Sequence, residues 1–169
     1  MGTQFVAAKA AFMAGFAVWL TMAVANNFVD PGSNRALVIG MMTMSELRAD
    51  PMLGNGLEGR AWPARQAAAT LTGVMAFQAV LALMFWRAAL LMAFTLVRPE
   101  AEAAIKSARA ANQALIGLLV LIFAFLTGGM WFGYWMKMGP VQAVHLTLLM
   151  IALLALLLVN LPQAERRSD

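Results

Sequence analysis

His145 is the only histidine in the chain, and a lone imidazole has a short list of chemistries. It can be a hydrogen-bonded structural group near a membrane boundary, an axial ligand to a haem or chlorophyll-type pigment, or a proton or substrate contact. A pigment's magnesium needs one protein ligand, whereas a haem would need a second from a Met or another chain. Around it in type, though scattered in sequence, stand Asn26, Asn27, Asp30, Arg60, Trp62, Trp131 and Trp135. These polar and aromatic groups are candidates for contact with a ligand or partner. A second set is Met42, Met44, Met136 and Met138. Thioethers are soft ligands suited to Cu(I), which makes copper handling one reading. Met also fills irregular apolar gaps, which is the other.

Composition removes most other chemistry. There is no Cys, so disulfides, thiolate metal sites and Cys nucleophiles are out, and one His cannot make a two-histidine site. G-x-S-x-G, P-loop and H-E-x-x-H patterns are absent, and the apolar segments lack the paired acids of general acid-base catalysis. The expectation is a protein that is not an enzyme and holds no resident cofactor, with a pigment or haem on His145 as the exception. The net charge of +4 comes from basic residues placed mostly at the ends of apolar segments, where the positive-inside bias and lipid phosphates account for them. Nucleic acid is not an expected partner.

The elements that must position these groups are membrane spans. Hydrophobic residues make up 62% of the 169, far above the roughly 45 to 50% of a soluble domain. About 20 apolar residues cross a bilayer core. That rule predicts four spans, near residues 5–28, 66–97, 114–135 and 142–161, with a polar loop over 29–65. The fold expected is therefore all-α: one membrane domain over 1–169, a four-helix bundle whose long outer loop carries a short amphipathic helix within 35–49. Lys9 and Ala23-Val24-Ala25 also suit a signal peptide, but the first segment is expected to be retained as a span. The second run exceeds a bilayer's needs by about ten residues and must tilt, bend or project. Arg87 inside it, with no acid in any span, is expected to snorkel to headgroups rather than face a ligand. Residues 98–113 read as a solvated helical extension, with Glu102 and Lys106 four apart.

Two small-residue patterns suggest helix packing: Ala7, Ala11 and Gly15 at spacing four, and Gly129 with Gly133. Gly128 to Trp135 closes the third span with the ring types that favour a membrane boundary. Four spans place both termini and the 98–113 segment on one side. Lys9, Arg87, Arg98, Lys106, Arg109, Arg166 and Arg167 lie there, against Arg35, Arg48, Arg60, Arg65 and Lys137 opposite, which predicts cytoplasmic termini. The candidate contact residues then gather at the outer face.

The order of features resembles a family of predicted small bacterial integral membrane proteins of unknown function. The resemblance rests on Asn26-Asn27 with Asp30 and Asn34, on Met44, on Arg60-Ala61, and above all on Gly128-Gly129-x-Trp131-Phe132-x-x-Trp135. It implies four helices in the bacterial inner membrane and no assigned activity. This chain departs from the pattern at four positions: Gly40 and Ser45 stand where a His and an Asp are usual, and Gln78 and Met130 where a Glu is usual. A neutralised relative suits a structural role. The function expected is a non-catalytic accessory subunit of a larger inner-membrane complex, of an energy-transducing kind, with other membrane subunits and lipids as partners. The alternatives are a small-ligand or metal-binding protein or small transporter with an outer-face site, and a pigment- or quinone-contacting subunit.

Overall fold

A computed structural model describes residues 2–54 and 56–161. Arg166 and Arg167, which enter the charge balance above, lie outside them. The described residues form six α-helices: α1 (Thr3–Val29), α2 (Pro31–Thr43), α3 (Ser45–Arg48), α4 (Ala64–Val97), α5 (Ala101–Phe132) and α6 (Gly139–Asn160). Short 3-10 turns occupy Glu58–Arg60 and Tyr134–Met136, and no strand occurs among the described residues. α1, α4, α5 and α6 are each long and apolar enough to cross a membrane. The four-span bundle expected from hydropathy is the fold.

Local chemistry sets the helix ends. α1 stops at Asp30, whose carboxylate accepts from the backbone N–H groups of Gly32 and Ser33 and so caps α2, with Pro31 at the first helical position. α5 stops at Phe132 rather than near 135, because Gly133 takes a positive φ of 63° and turns the chain. Gly129 and Gly133 therefore do not share one helix face. The single amphipathic helix expected in the loop is two helices, split at Met44, which sits at φ 55° in the left-handed region.

The core is built from Met13, Ala17 and Leu20 of α1, Leu81, Phe85 and Ala88 of α4, Ala114, Leu115 and Leu118 of α5, and Ala152 and Ala155 of α6. Alanine recurs at these contacts, which lets the helices approach closely in a medium where van der Waals packing drives association. Gly117 faces Leu81 so tightly that a Cβ there would lie 2.6 Å from Leu81 Cδ2. In an antiparallel hairpin that register sets Arg87 opposite Ala111.

Ala7, Ala11 and Gly15 do not pack within the bundle as their spacing suggested. All three are exposed, and the face of α1 that packs carries Val6, Lys9, Met13, Phe16, Ala17 and Leu20. Lys9 is a buried member of that face. Its Nζ donates to the carbonyl of Val159 at 2.8 Å and lies 4.5 Å from the centre of the Phe5 ring. An ammonium at the last turn of α6 satisfies a carbonyl the helix leaves free and complements the negative end of its dipole. Beside it, Asn112 and Asn160 exchange reciprocal amide hydrogen bonds of 3.0 and 2.8 Å, which fix where α6 ends against α5.

Candidate functional site

The loop between α1 and α4 folds back over the end of the bundle. Met42, Met44 and Leu47 bury themselves against Ala67, Phe132 and Tyr134, forming a small second core. The Trp62 backbone N–H donates to the Met42 carbonyl at 2.8 Å, and the Trp62 ring meets Phe132 edge-on at 5.6 Å. Lys137 reaches across to Asp50 in an ion pair. The same carboxylate accepts from the N–H groups of Met52 and Leu53. Led by the Lys137 hydrogen bond, these donors hold Asp50 well below its ordinary range, at about 2. Arg60 lies over the Trp131 ring at 5.1 Å and donates to the Trp131 carbonyl at 3.4 Å.

Beneath this cover, α5, the Tyr134 turn and α6 bring together the most chemically specific group in the molecule. Tyr134 is the only tyrosine, and its hydroxyl donates to the Phe125 carbonyl at 2.8 Å. The same oxygen lies 3.2 Å from His145 Nδ1. A phenol has one proton, and here it is committed to the carbonyl. Nδ1 must then carry the imidazole proton and donate, which leaves Nε2 with its lone pair free. Phe125 stacks on the imidazole at 4.8 Å, holding the ring plane. Burial pushes the Tyr134 phenol up to about 12, so it stays a proton donor at any physiological pH. Gly129 makes the space: a Cβ there would fall 2.5 Å from Gln142 Oε1 and 3.0 Å from Tyr134 Cζ. Gln142 Oε1 is buried without a hydrogen-bond partner, an acceptor in want of a donor.

The residues singled out in the sequence therefore fall into separate local groups rather than one pocket. Arg60 with Trp131 and Trp62 with Phe132 fasten the loop, and His145 belongs to the Tyr134 group. Asn27 is buried, donating to the Ala23 carbonyl and accepting from Asn34. Asp30 is occupied as a cap, and the hydrogen bonds from Ser33 hold its carboxyl below the ordinary range. Asn26 and Trp135 are exposed. Gly133 serves as the turn, where a Cβ would lie 3.0 Å from Leu47 Cδ1. Asn27 also borders an open groove of about 620 Å³ between the α1–α2 elbow and α4, with Phe28, Arg35, Leu71, Thr72 and Met75.

Met42, Met44, Met136 and Met138 do share one cluster, but it is packed with Val38, Ile39, Leu47 and Val141 as apolar filling. No group of three His, Cys, Asp or Glu able to hold a metal occurs among the described residues. Three groups were not singled out for chemistry in the sequence: Tyr134, Gln142 and the buried Lys9. The uniqueness of Tyr134 and the isolation of Lys9 in an apolar span were the available signals. Of the four positions neutral in this chain, Gly40 and Ser45 are neighbours, the Ser45 hydroxyl donating to the Gly40 carbonyl at 3.4 Å. Gln78 Oε1 is buried and unpaired, and Met130 is exposed.

No curated protein and no solved structure matches the chain. A family model described as predicted small integral membrane protein (DUF2165) matches residues 5–162, nearly the whole of it. With four apolar helices joined by the Asn26-Asn27 elbow and the Gly128 to Trp135 helix end, this chain belongs to that family of small integral membrane proteins.

Proposed function

We propose that this protein is a non-catalytic accessory subunit of a larger complex in the bacterial inner membrane, held there by helix-to-helix docking. The observation that carries the reading is the exposed stripe of Ala7, Ala11 and Gly15 on α1. The opposite face of that helix is fully used inside the bundle, while a Cβ added at Gly15 would meet nothing within 4 Å. Lipid chains need no small residues, whereas a second helix approaching closely does. Among the described residues no acid is buried in the bundle, and Gln78 stands where a charge would serve proton movement, which favours a structural role over transport.

The test is co-purification in mild detergent followed by native mass spectrometry. The wild-type chain should carry a partner at fixed stoichiometry, and Ala11→Leu with Gly15→Leu should lose it while helical content stays unchanged. A chain that runs alone from gently solubilised membranes ends the reading.

His145 supports a second one. With Nδ1 donating to Tyr134, Nε2 keeps the lone pair with which an imidazole would meet a metal-centred pigment or a hydroxyl donor such as a quinol. The absorption spectrum of the purified protein, with and without added haem, decides it; spectra identical for wild type and His145→Ala exclude pigment and haem ligation.

A further inference from the structure

α4 and α5 are longer than a bilayer needs, and the fold indicates where the excess goes. From Lys9 to Asn27 α1 rises about 27 Å, from Asn112 to Phe132 α5 rises about 30 Å, and α6 from Gly139 to Asn160 rises about 32 Å. Each matches a hydrocarbon core of roughly 30 Å. The polar level made by Lys9, Asn112 and Asn160, with Arg87 opposite Ala111, therefore marks one boundary of the core. Past Asn112 the start of α5 continues to Ala101, so the α4–α5 hairpin stands about 17 Å beyond that level.

The two helices of this projection present different faces. The exposed face of α5 there carries Glu102, Lys106 and Arg109 around a single large apolar residue, Ile105, and Glu102 pairs with Lys106 at 2.6 Å, as suits water. The exposed face of α4 carries Leu90, Phe94 and Val97, which are 65, 48 and 79% exposed. Their spacing of four and three residues puts them on one stripe. Lipid cannot cover a stripe that lies beyond the boundary, and water is a poor medium for it. Arg87 and Arg98 bracket the stripe at its two ends; Arg98 lies over the Phe94 ring at 5.6 Å, and neither pairs with an acid among the described residues. α4 has no Asp or Glu of its own.

We infer that the α4 face of the projecting hairpin is a docking surface for an apolar helix of another protein that carries carboxylates at its edge. The inference deepens the accessory-subunit reading and rests on it. A second copy of this chain is the competing occupant, and charge argues against it. Two copies meeting along this stripe as parallel helices would bring Arg87 against Arg87 and Arg98 against Arg98.

A photo-crosslinking amino acid placed at Val97 of the full chain in native membranes tests this, alongside one at Ala11 and one at the lipid-facing Leu157. Val97 should link to another polypeptide whose captured peptide is an apolar helical segment bearing Asp or Glu. Reversing Arg87 and Arg98 to Glu should cut that yield about tenfold, while Lys106→Glu leaves it unchanged. Links from Val97 to a second copy, to lipid, to a segment without acids, or to nothing overturn the inference. The Ala11 probe separates the two claims. A partner at Ala11 but not at Val97 leaves the accessory reading standing and removes this surface, and no partner at either removes both.

Discussion

At the scale of single residues, the loop is held by charge and the space beneath it by one phenol. Asp50 has its carboxyl at about 2 against an ordinary 3.8, first through the Lys137 hydrogen bond and then through two backbone donors. A carboxyl whose folded value is depressed adds stability that is complete above its unfolded value and is lost as pH falls through the folded one. The loop attachment should thus be indifferent to pH from 7 down to about 5 and weaken between about 4 and 2. Fluorescence of Trp62 against Phe132 follows it, and Asp50→Asn should abolish that acid transition; a transition unchanged in the variant would place the titration elsewhere. Tyr134→Phe removes an acceptor from His145 and the second donor to the Phe125 carbonyl, which keeps its helical bond, so the imidazole N–H is left unpaired beside Gln142. The loss should be about 1–3 kcal/mol in chemical denaturation, with the loop contacts otherwise kept. These roles were only partly legible beforehand. The ring types from Trp131 to Trp135 gave the helix end, but which ring turns inward depends on the positive φ of Gly133, and a lone glycine does not announce its dihedral angle.

At the scale of elements, hydropathy and length were enough for the four spans, because lipid requires every backbone group to bond within its own helix. The break at Met44 was not legible: a left-handed methionine is unfavourable locally and is held by the burial of its side chain against Phe132 and Tyr134. Packing faces were also hidden. Small-residue spacing marks a face open to close approach without saying what approaches it, and the described helices of this chain leave Ala7, Ala11 and Gly15 exposed. Adjacent glycines in α5 give a controlled test of this difference. Gly129→Ala drives a Cβ into Gln142 and the Tyr134 ring and should destabilise by about 1–3 kcal/mol. Gly128→Ala meets nothing within 4 Å and should be neutral or stabilise by up to about 1 kcal/mol, since alanine favours the helix. Thermal unfolding of both in one detergent is the measurement, and equal midpoints would mean that the Gln142 side chain and the Tyr134 ring give way to the methyl at little cost.

At the scale of the whole molecule, the excess of apolar helix was readable from the sequence, whereas the choice among tilt, bend and projection was not. That choice depends on where α1 and α6 stop, and two polar contacts at that level, Lys9 on the Val159 carbonyl and Asn112 on Asn160, are the argument for projection. Arg87 then needs no buried partner, since the register of Leu81 on Gly117 brings it to the boundary, where headgroups or a partner's carboxylate can meet it. The geometry makes a sharp prediction about water. The chain has no Cys, so single cysteines can be introduced without background. Val97 and Ile105 are 79 and 62% exposed in the projection, and Val120 and Leu157 are 56 and 64% exposed in the spans. Exposure within the chain is thus similar for all four, and only the surrounding medium differs. Maleimides react with the thiolate, which forms readily in water and scarcely in hydrocarbon. In liposomes holding this protein alone, Val97→Cys and Ile105→Cys should react with a charged maleimide at least about tenfold faster than Val120→Cys and Leu157→Cys. Equal protection at all four positions would put the hairpin inside the bilayer and require the other long helices to tilt around it. Labelling from one side of the membrane alone also fixes which way the hairpin points, and with it the side on which a docking helix must be sought.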